Sequence, residues 1–248
     1  MHTFKTRLSQ IAKTNGKVIL ANDYDPSVKN LETKTISNIK KLHPYLCAVK
    51  LNFHLLLPLS SKQVLNINKT AHKYGLQTIA DIKLNDIGNT NRVTTENLWK
   101  MGFDAVIANP IMGLDSLKNL VKSAHKNGKG VITLCHMSAP EAKLSYDMEV
   151  KMRKKQQLYQ LFLDWALEAK VDGIVVGATF PKIIQYCSKK AGRKLSIFSP
   201  GVGTQGGNAS EVISAGTNYL IVGRTILNAK KPTDVAKDLQ LDSMESNI

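Results

Sequence analysis

Eight short aliphatic segments alternate with longer amphipathic segments along this chain, and this alternation constrains the fold more than any other feature. The aliphatic segments start roughly 25 to 30 residues apart, with one longer gap between the fifth and sixth, so each interval has room for a helix and its loops. The pattern predicts an α/β protein of the (β/α)8 type, a TIM barrel with parallel strands inside a ring of helices. The predicted strands are 18–21, 46–50, 77–81, 105–108, 130–134, 173–176, 195–199 and 220–222, and the predicted helices are 30–42, 61–74, 89–101, 115–127, 156–170 and 181–191.

The chain is long enough to form one such barrel, at 248 residues. It contains no linker, repeat or low-complexity segment, so we predict a single domain over residues 1–248 with a polar, weakly ordered tail over 240–248. The longer gap holds residues 137–155, which we predict to form a lid over the active site.

The composition is that of an ordinary globular protein, with 43% hydrophobic residues. The first residues lack the apolar segment and cleavage site of a signal peptide, and no apolar run reaches the roughly 18 residues of a membrane helix. We therefore expect a cytoplasmic protein with no membrane partner. Cys47, Cys135 and Cys187 are far apart and lack the spacing of metal ligands, so we expect buried, reduced thiols and no metal site.

The formal net charge of +15 raises the hypothesis of a nucleic-acid partner. However, the lysines are scattered along most of the predicted helices, and the one dense cluster, 151–155, contains no aromatic residue on which a base could stack. We therefore expect no nucleic-acid partner. The basic character still favours an anionic substrate, because it steers such a molecule toward the protein.

Polar residues follow most of the predicted strands at their carboxyl ends, which is where TIM barrels carry their chemistry. Each position alone is weak evidence for a functional site, but the positions together predict an active site at this end of the barrel. These residues are Asn22 and Asp23 after strand one, Lys50 at the end of strand two, Asp81 and Lys83 at strand three, His136, Met137 and Ser138 at strand five, 200–207 after strand seven, and Gly223 and Arg224 after strand eight.

The third strand ends in an acid and a base that are two residues apart. Alternate residues of a strand share a face, so Asp81 and Lys83 are predicted to point the same way, with Asp86 in the loop beyond them. Two interpretations remain open for this D-x-K-x-x-D pattern: a charged catalytic array, or a surface salt bridge followed by a helix cap.

The last two strands predict a phosphate site, which this fold often builds from the loops after strands seven and eight. Glycines at 201, 203, 206 and 207 would let backbone N–H groups approach a phosphate, and Arg224 offers a planar fork for its oxygens. The alternative is a glycine-rich turn followed by a solvated arginine.

The chain resembles the orotidine 5'-phosphate decarboxylases along nearly its whole length, especially the shorter microbial and archaeal forms. The resemblance implies a cofactor-independent decarboxylase that converts orotidine 5'-phosphate to UMP. The segments that carry it are ILAND at 19–23, VK at 49–50, ADIKLNDIGNT at 80–90, MS at 137–138, SPGVGTQGG at 199–207 and VGRT at 222–225.

The resemblance also implies roles for individual residues. Asp23 and Lys50 would hold the ribose hydroxyls, Asp81 would lie beside the leaving carboxylate, and Lys83 would deliver a proton to C6. Lys50, Asp81, Lys83 and Asp86 would form the catalytic array. Ser138 would read the amide edge of the pyrimidine, and the 5'-phosphate would be held by Pro200, Gly201, Val202, Gly203, Gln205, Gly206, Gly207, Gly223 and Arg224.

Asp86 and Thr90 would reach the site of a neighbouring subunit, so the resemblance implies a homodimer. Two residues depart from the family pattern: Gly88 stands where proline is usual, and Asn109 where a histidine is common. We expect the glycine to loosen the loop that carries Asp86 and Thr90, whereas the role of Asn109 stays open.

Three alternatives remain. Related barrels with the same D-x-K-x-x-D pattern are metal-dependent decarboxylases or aldol-type synthases of sugar phosphates, in which the carboxylates bind magnesium. A basic nucleic-acid-binding protein on a barrel scaffold would show a steep salt dependence of binding. A catalytically silent scaffold is the third alternative, and the complete charged set argues against it.

Overall fold

The computed structural model describes residues 2–24, 27–152 and 154–245. The strands are β1 Val18–Ala21, β2 Ala48–Asn52, β3 Gln77–Leu84, β4 Ala105–Ala108, β5 Gly130–His136, β6 Glu149–Lys151, β7 Lys155–Gln157, β8 Gly173–Val176, β9 Ser196–Pro200 and β10 Tyr219–Val222. The α-helices are α1 Phe4–Asn15, α2 Leu31–Leu42, α3 Phe53–Leu56, α4 Ser61–Lys73, α5 Gly88–Lys100, α6 Leu114–Lys126, α7 Ala142–Ser145, α8 Leu158–Ala169, α9 Pro181–Ala191, α10 Ala209–Ser214, α11 Arg224–Leu227 and α12 Pro232–Glu245, and two 3₁₀ helices span His43–Tyr45 and Pro110–Met112.

Eight of the strands close into a parallel barrel in the order β1-β10-β9-β8-β5-β4-β3-β2. The predicted (β/α)8 fold is therefore confirmed. Strands β1, β4 and β8 have the predicted limits, whereas β3 and β5 run beyond theirs, to Leu84 and His136. No helix in the described part of the chain is both long and apolar enough to cross a membrane.

A first helix that the sequence analysis did not predict closes the barrel where its strands begin. Phe4, Leu8 and Ala12 of α1 pack in one cluster with the side chains that fill the barrel interior. Gly130 at the start of β5 permits this packing, because a Cβ there would lie 2.3 Å from Cδ1 of Phe4. The barrel is thus plugged at this end and open at the carboxyl ends of its strands.

The C-terminal segment differs from its prediction. Residues 240–245 of the expected weakly ordered tail belong to α12, because Ser243 of this helix is buried and its Oγ accepts a hydrogen bond from the backbone N–H of Lys17 at 2.9 Å. Gln240 also donates to the carbonyl of Pro44 at 3.0 Å. Residues 246–248 lie outside the described residues.

The predicted lid segment 137–155 contains secondary structure of its own. It holds the short helix α7 and the strand β6, which pairs with β7 in an antiparallel hairpin outside the barrel. All three cysteines are buried and none forms a disulfide, as the sequence analysis expected. Sγ of Cys135 lies 3.8 Å from Sγ of Cys187.

Candidate active site

A cavity of about 210 Å³ opens at the carboxyl ends of the barrel strands. The structure brings together there most of the residues that the sequence analysis assigned to the site: Asp23, Lys50, Asp81, Lys83, Ser138, Pro200, Gly201, Val202, Gln205, Gly223 and Arg224. Asp86, Thr90, Gly203, Gly206 and Gly207 are not part of this lining.

Asp81 lies between two ammonium groups at the floor of the cavity. Its Oδ2 is 2.7 Å from Nζ of Lys50, and its Oδ1 is 2.9 Å from Nζ of Lys83. Nζ of Lys50 also lies 3.7 Å from Oδ1 of Asp23. The side chains of Lys50 and Asp81 are only 5% and 10% exposed, whereas Lys83 is 39% exposed and faces the open cavity.

The two buried members of this array stabilise each other's charge. Burial alone would lower the pKa of Lys50, but the carboxylates of Asp81 and Asp23 outweigh it and raise this pKa above its usual range. Burial alone would raise the pKa of Asp81, but the ammonium groups of Lys50 and Lys83 outweigh it and lower this pKa. Lys50 and Asp81 are therefore both ionised at neutral pH in a fixed arrangement, as electrostatic catalysis requires.

An irregularity at the end of β3 brings Lys83 onto Asp81. The register between β3 and β4 shifts between Ala80 and Leu84, and Lys83 has a φ of +47°. A left-handed conformation costs a non-glycine residue about 1–2 kcal/mol. The sequence predicted that Asp81 and Lys83 share a face because strand residues alternate, but the contact here forms across a distorted strand end.

Asp86 does not line the cavity of its own chain. It is exposed, and its Oδ1 accepts a hydrogen bond from the backbone N–H of Ile87 at 2.7 Å. Thr90, one turn into α5, is exposed as well. The side chain of buried Asn91 donates to the carbonyl of Asp86, so the backbone of this loop is anchored to α5.

The two departures from the family pattern have local structural roles. Gly88 has a φ of +43°, which a proline cannot adopt because its ring fixes φ near −65°. Oδ1 of Asn109 accepts from the backbone N–H of Ile111 at 3.1 Å and so caps the 3₁₀ helix Pro110–Met112. The backbone N–H of Asn109 donates to the carbonyl of Leu84 at 2.8 Å, which joins this turn to the end of β3.

The glycine loop after β9 is shaped by its own hydrogen bonds. The amides of Gly203 and Gly207 donate to the carbonyls of Gly207 and Gly201, at 2.8 and 3.0 Å, and the amide of Gly206 donates to Gly203 at 2.7 Å. The sequence analysis expected these N–H groups to approach a phosphate, but they are used within the loop. These glycines therefore serve to shape the loop, and Gly201, Gly203 and Gly206 all have positive φ.

Thr225, to which the sequence analysis gave no role, joins the loops that follow β9 and β10. Its hydroxyl donates to the carbonyl of Val202 at 3.0 Å and accepts from the backbone N–H of Thr204 at 3.0 Å. A Cβ on Gly203 would lie 2.4 Å from Oγ1 of Thr225, so glycine is required for this approach. The only sequence signal was a hydroxyl residue directly after Arg224, which begins α11 and is exposed at the cavity.

Asn52 was also missed, although it lies two residues after Lys50 on β2 and opposite Asp81 in the barrel register. The remaining unpredicted lining is mostly apolar and comes from the barrel interior. It includes Ala21, Ile107, Leu134, Val175 and Ile221, whereas Met137, which also lines the cavity, was predicted at this end.

Buried His136 connects the barrel to the lid segment. Its Nδ1 lies 2.9 Å from the carbonyl of Met137, and its Nε2 lies 3.3 Å from Oδ1 of Asp147. Burial lowers the pKa of His136, although the Met137 carbonyl and Asp147 act in the opposite direction. A second cavity of about 610 Å³ lies between this lid segment and the loops that follow β9 and β10. It is lined by Ser138, Lys143, Phe180, Gln205 and Arg224 among others.

The described residues contain no group of three or more His, Cys, Asp or Glu side chains placed to hold a metal ion. The carboxylates of Asp23 and Asp81 are instead in contact with lysines. Fold and site together define a (β/α)8 barrel with an open cavity at the carboxyl ends of its strands, where proteins of this fold carry their chemistry, and with lysine and aspartate side chains in contact in that cavity.

Comparison with known proteins identifies the family. The model of the orotidine 5'-phosphate decarboxylase / HUMPS family matches residues 16–239, so the chain belongs to this family. The chain is 35% identical to the orotidine 5'-phosphate decarboxylase of Methanosarcina mazei over 225 residues, which cover 91% of this chain and 94% of the relative. It is 32% identical to that of Pyrococcus furiosus over 206 residues, covering 83% and 90% of the two chains.

A solved structure of a decarboxylase of the same type has the same fold as this chain. The orotidine 5'-monophosphate decarboxylase of Methanocaldococcus jannaschii, complexed with the inhibitor BMP, superposes with a TM-score of 0.77 at 27% identity, covering 92% of this chain and 98% of that one. The predicted enzyme class, a carboxy-lyase of the orotidine 5'-phosphate decarboxylase type, is confirmed by these relatives.

Proposed function

We propose that this chain decarboxylates orotidine 5'-phosphate to UMP, the last step of de novo UMP synthesis, without a cofactor and with Lys83 as the proton donor. The observation that carries the proposal is Asp81, held between two ammonium groups at 2.7 and 2.9 Å at the floor of the cavity. This arrangement keeps an ammonium group next to a carboxylate where the substrate's C6 would lie.

The chemistry requires such a group. When the bond between C6 and the carboxylate breaks, the electron pair stays on C6 and carbon dioxide leaves. The ring offers no position that delocalises this pair, so fixed charges must stabilise it. Lys83 then transfers a proton from its ammonium group to C6, and the resulting neutral amine regains a proton from solvent.

The other lining residues hold the substrate in this proposal. Asp23 and Lys50 bind the ribose hydroxyls, and Ser138 binds the pyrimidine amide. Gln205 and Arg224 bind the phosphate, whose binding energy offsets the repulsion between Asp81 and the substrate carboxylate.

We further propose a homodimer in which the partner's Asp86 and the partner's Thr90 complete each site. Asp86 is exposed and outside the cavity of its own chain, which supports this arrangement. Large apolar side chains are also exposed in the segments that follow β2, β3 and β4, as expected of an interface. They are Phe53, Leu57, Ile87, Val93 and Ile111.

The reaction is tested by incubating the purified protein with orotidine 5'-phosphate and a chelator, and following the ultraviolet absorbance of the pyrimidine. We expect full activity in the presence of the chelator. Loss of activity that added magnesium restores would instead support the metal-dependent alternative. The proposed substrates and product are small polar molecules, which fits the expected cytoplasmic location, and the reaction needs neither a nucleic acid nor a membrane.

The shared site is tested by mixing two inactive variants, Lys83→Ala and Asp86→Asn, under conditions in which subunits exchange. In a mixed dimer one site inherits both defects, while the other combines intact Lys83 with the partner's Asp86. Random pairing should restore roughly a quarter of the wild-type activity, as two-fold symmetry requires. If Asp86 serves its own chain, the mixture stays as inactive as its components.

A further inference from the structure

The end of the barrel opposite the active site is strongly basic. Helices of a (β/α)8 barrel run antiparallel to its strands, so the carboxyl ends of the helices gather where the strands begin. Helices α1, α2, α4, α5, α6 and α9 all carry lysine in their last turn, and lysine also follows α8. We call this surface the basic end, and its exposed cations are Lys13, Lys40, Lys41, Lys73, Lys100, Lys126, Lys170, Lys189, Arg193 and Lys194.

The carboxylates near these cations do not balance them. Buried Asp104 accepts from the backbone N–H of Thr78 at 2.9 Å and contacts Arg7 and His72. Buried Asp172 is likewise in contact with His125, at 3.0 Å. Among the described helices, exposed carboxylates lie in the last four residues of α8, α10 and α12, and they are fewer than the exposed cations named above. Much of the formal net charge of +15 therefore lies at this end.

The helix macrodipole explains only part of this pattern. It favours a cation in the last turn of a helix. However, α2 and α9 each end in two consecutive lysines, Lys40 with Lys41 and Lys189 with Lys190. Lys190 is in contact with Asp164, whereas Lys40, Lys41 and Lys189 are exposed. Arg193 and Lys194 follow the end of α9. Like charges at this density repel one another and destabilise the folded chain, and a bound polyanion would relieve that repulsion.

A cavity of about 510 Å³ opens within the basic end, between α1, the starts of β9 and β10, and the end of α12. Lys5, Lys13 and Lys17 line it. Nζ of Lys5 donates to the carbonyls of Arg193 and Lys194, at 3.2 and 2.8 Å, which holds that cationic segment against α1.

We propose that the basic end binds the phosphate backbone of a nucleic acid, with a phosphate group entering this cavity. Lysines act as point charges toward phosphates, and contacts to phosphates carry no sequence information, so the proposed binding is independent of sequence. The cationic surface extends over the ends of several helices, far beyond what one small phosphate ester could contact. The sequence analysis set nucleic acid aside because the lysines are scattered along the chain, but the barrel topology collects them at one end.

An anionic membrane fits this surface less well. Membrane-binding surfaces combine cations with apolar side chains that enter the lipid. The exposed apolar side chains at this end, Leu241 and Met244, lie on the same turn of α12 as Asp242 and Glu245, which anionic lipid would repel. The proposal is independent of the decarboxylase function, because the active site opens at the other end of the barrel.

The experiment compares two variants with the same change in net charge. In the test variant, Lys40, Lys41, Lys189 and Lys194 of the basic end are all changed to Glu. In the control variant, the exposed lysines Lys62, Lys69, Lys230 and Lys237, which lie elsewhere, are all changed to Glu. Binding of a fluorescein-labelled DNA duplex of about 20 base pairs is measured by anisotropy at several salt concentrations. Decarboxylation and thermal melting serve as checks that both variants fold.

We expect wild-type binding to weaken steeply with salt, because each phosphate contact contributes about −0.9 to the slope of log K against log salt concentration. The test variant should bind at least about tenfold more weakly at roughly 0.1 M salt, with a slope shallower by about 3 to 4, while the control changes much less. Should the test variant fail to fold, Lys40→Gln with Lys41→Gln should show a proportionate loss.

Two results would overturn the proposal. An equal loss in both variants would mean that net charge alone, and not this surface, governs binding. Wild-type binding to phosphatidylserine vesicles without binding to the duplex would assign the surface to a membrane instead.

Discussion

Replacing Asp81 with Asn removes one charge at the floor of the cavity while it preserves the volume of the side chain. Lys50 is only 5% exposed and lies 2.7 Å from Asp81, whereas its other carboxylate, Asp23, is 3.7 Å away and 33% exposed. The substitution therefore leaves a buried ammonium group with one distant, partly hydrated partner. Lys83 is more exposed and can turn to solvent, so Lys50 determines the cost.

The magnitude follows from this geometry. Charges 2.7 Å apart attract by roughly 6 kcal/mol at an effective dielectric constant of about 20, before desolvation is subtracted. Removing one partner of a buried pair generally costs about 3–5 kcal/mol. Since Asp23 still compensates part of the charge, we expect Asp81→Asn to lower the free energy of unfolding by about 3 kcal/mol at neutral pH.

Urea unfolding of the wild type and Asp81→Asn measures this loss. The double variant Lys50→Met with Asp81→Asn should recover most of it, because no buried charge remains. Glu168→Gln, which removes the exposed partner of Lys118, should change stability by less than about 0.5 kcal/mol. A loss below about 1 kcal/mol in Asp81→Asn would show that Lys50 is hydrated in the folded protein and would refute the reasoning.

The pH dependence gives an independent check of the same argument. In the wild type the raised pKa of Lys50 contributes stability that is present below its ordinary value of 10.5 and is lost as pH rises through the folded-state value. In Asp81→Asn, burial lowers the folded-state pKa of Lys50, so the unfolded chain binds more protons. The variant should therefore gain stability relative to the wild type as pH rises from about 7 to 9.

Four further predictions concern single side chains. Lys83→Ala should leave nucleotide binding measurable while kcat falls by more than the roughly 10²–10⁴-fold of a lost acid or base, and retention of a tenth of kcat would exclude Lys83 as the proton donor. Arg224→Ala should lower kcat/KM for orotidine 5'-phosphate, which corresponds to a loss of about 2–4 kcal/mol of transition-state stabilisation, and should leave kcat/KM for orotidine, which lacks the phosphate, nearly unchanged. An equal loss for both substrates would show that Arg224 does not bind the phosphate. Gly88→Pro should lower the melting temperature and activity, since proline cannot adopt a φ of +43°, and an unchanged melting temperature would show that the loop accommodates it. The hydrogen bond to Asp172 raises the pKa of His125, so its stabilising effect is present below the ordinary value of 6.5 and is lost as pH rises through the folded-state value; the difference in melting temperature between wild type and His125→Gln should be larger at about pH 6 than at about pH 8.

The barrel could be predicted because its strands are continuous apolar runs. A strand of a parallel barrel is covered on both faces, so it appears in the sequence without alternation and is easily located between amphipathic helices. β4, for example, has four buried residues and the predicted limits. The terminal helices were missed although their buried positions recur at helical spacing, Phe4, Leu8 and Ala12 in α1 and Ala236, Leu239 and Ser243 in α12.

The site was predictable where a charged residue ends an apolar run of the sequence, as do Lys50 and Asp81, although β2 and β3 continue beyond them to Asn52 and Leu84. Periodicity could not show how Lys83 reaches Asp81, because the contact depends on a local shift of register and a positive φ. Thr225 escaped notice because its role is to bond backbone groups of another loop, 21 and 23 residues away in the chain. Such contacts depend on tertiary structure, and the residue type alone carries little signal for them.

The same topological rule explains why the residues of the active-site end could be grouped from the sequence and why the lysines of the basic end were not grouped. Parallel strands place all their carboxyl ends on one side, so the residues after the strands could be collected into a site from sequence alone. The helices between them must place all their carboxyl ends on the opposite side, and the lysines in their last turns are collected by the same step. Lysine counted along the chain looks scattered, whereas lysine assigned to the ends of elements predicts a charged surface before any coordinates are known.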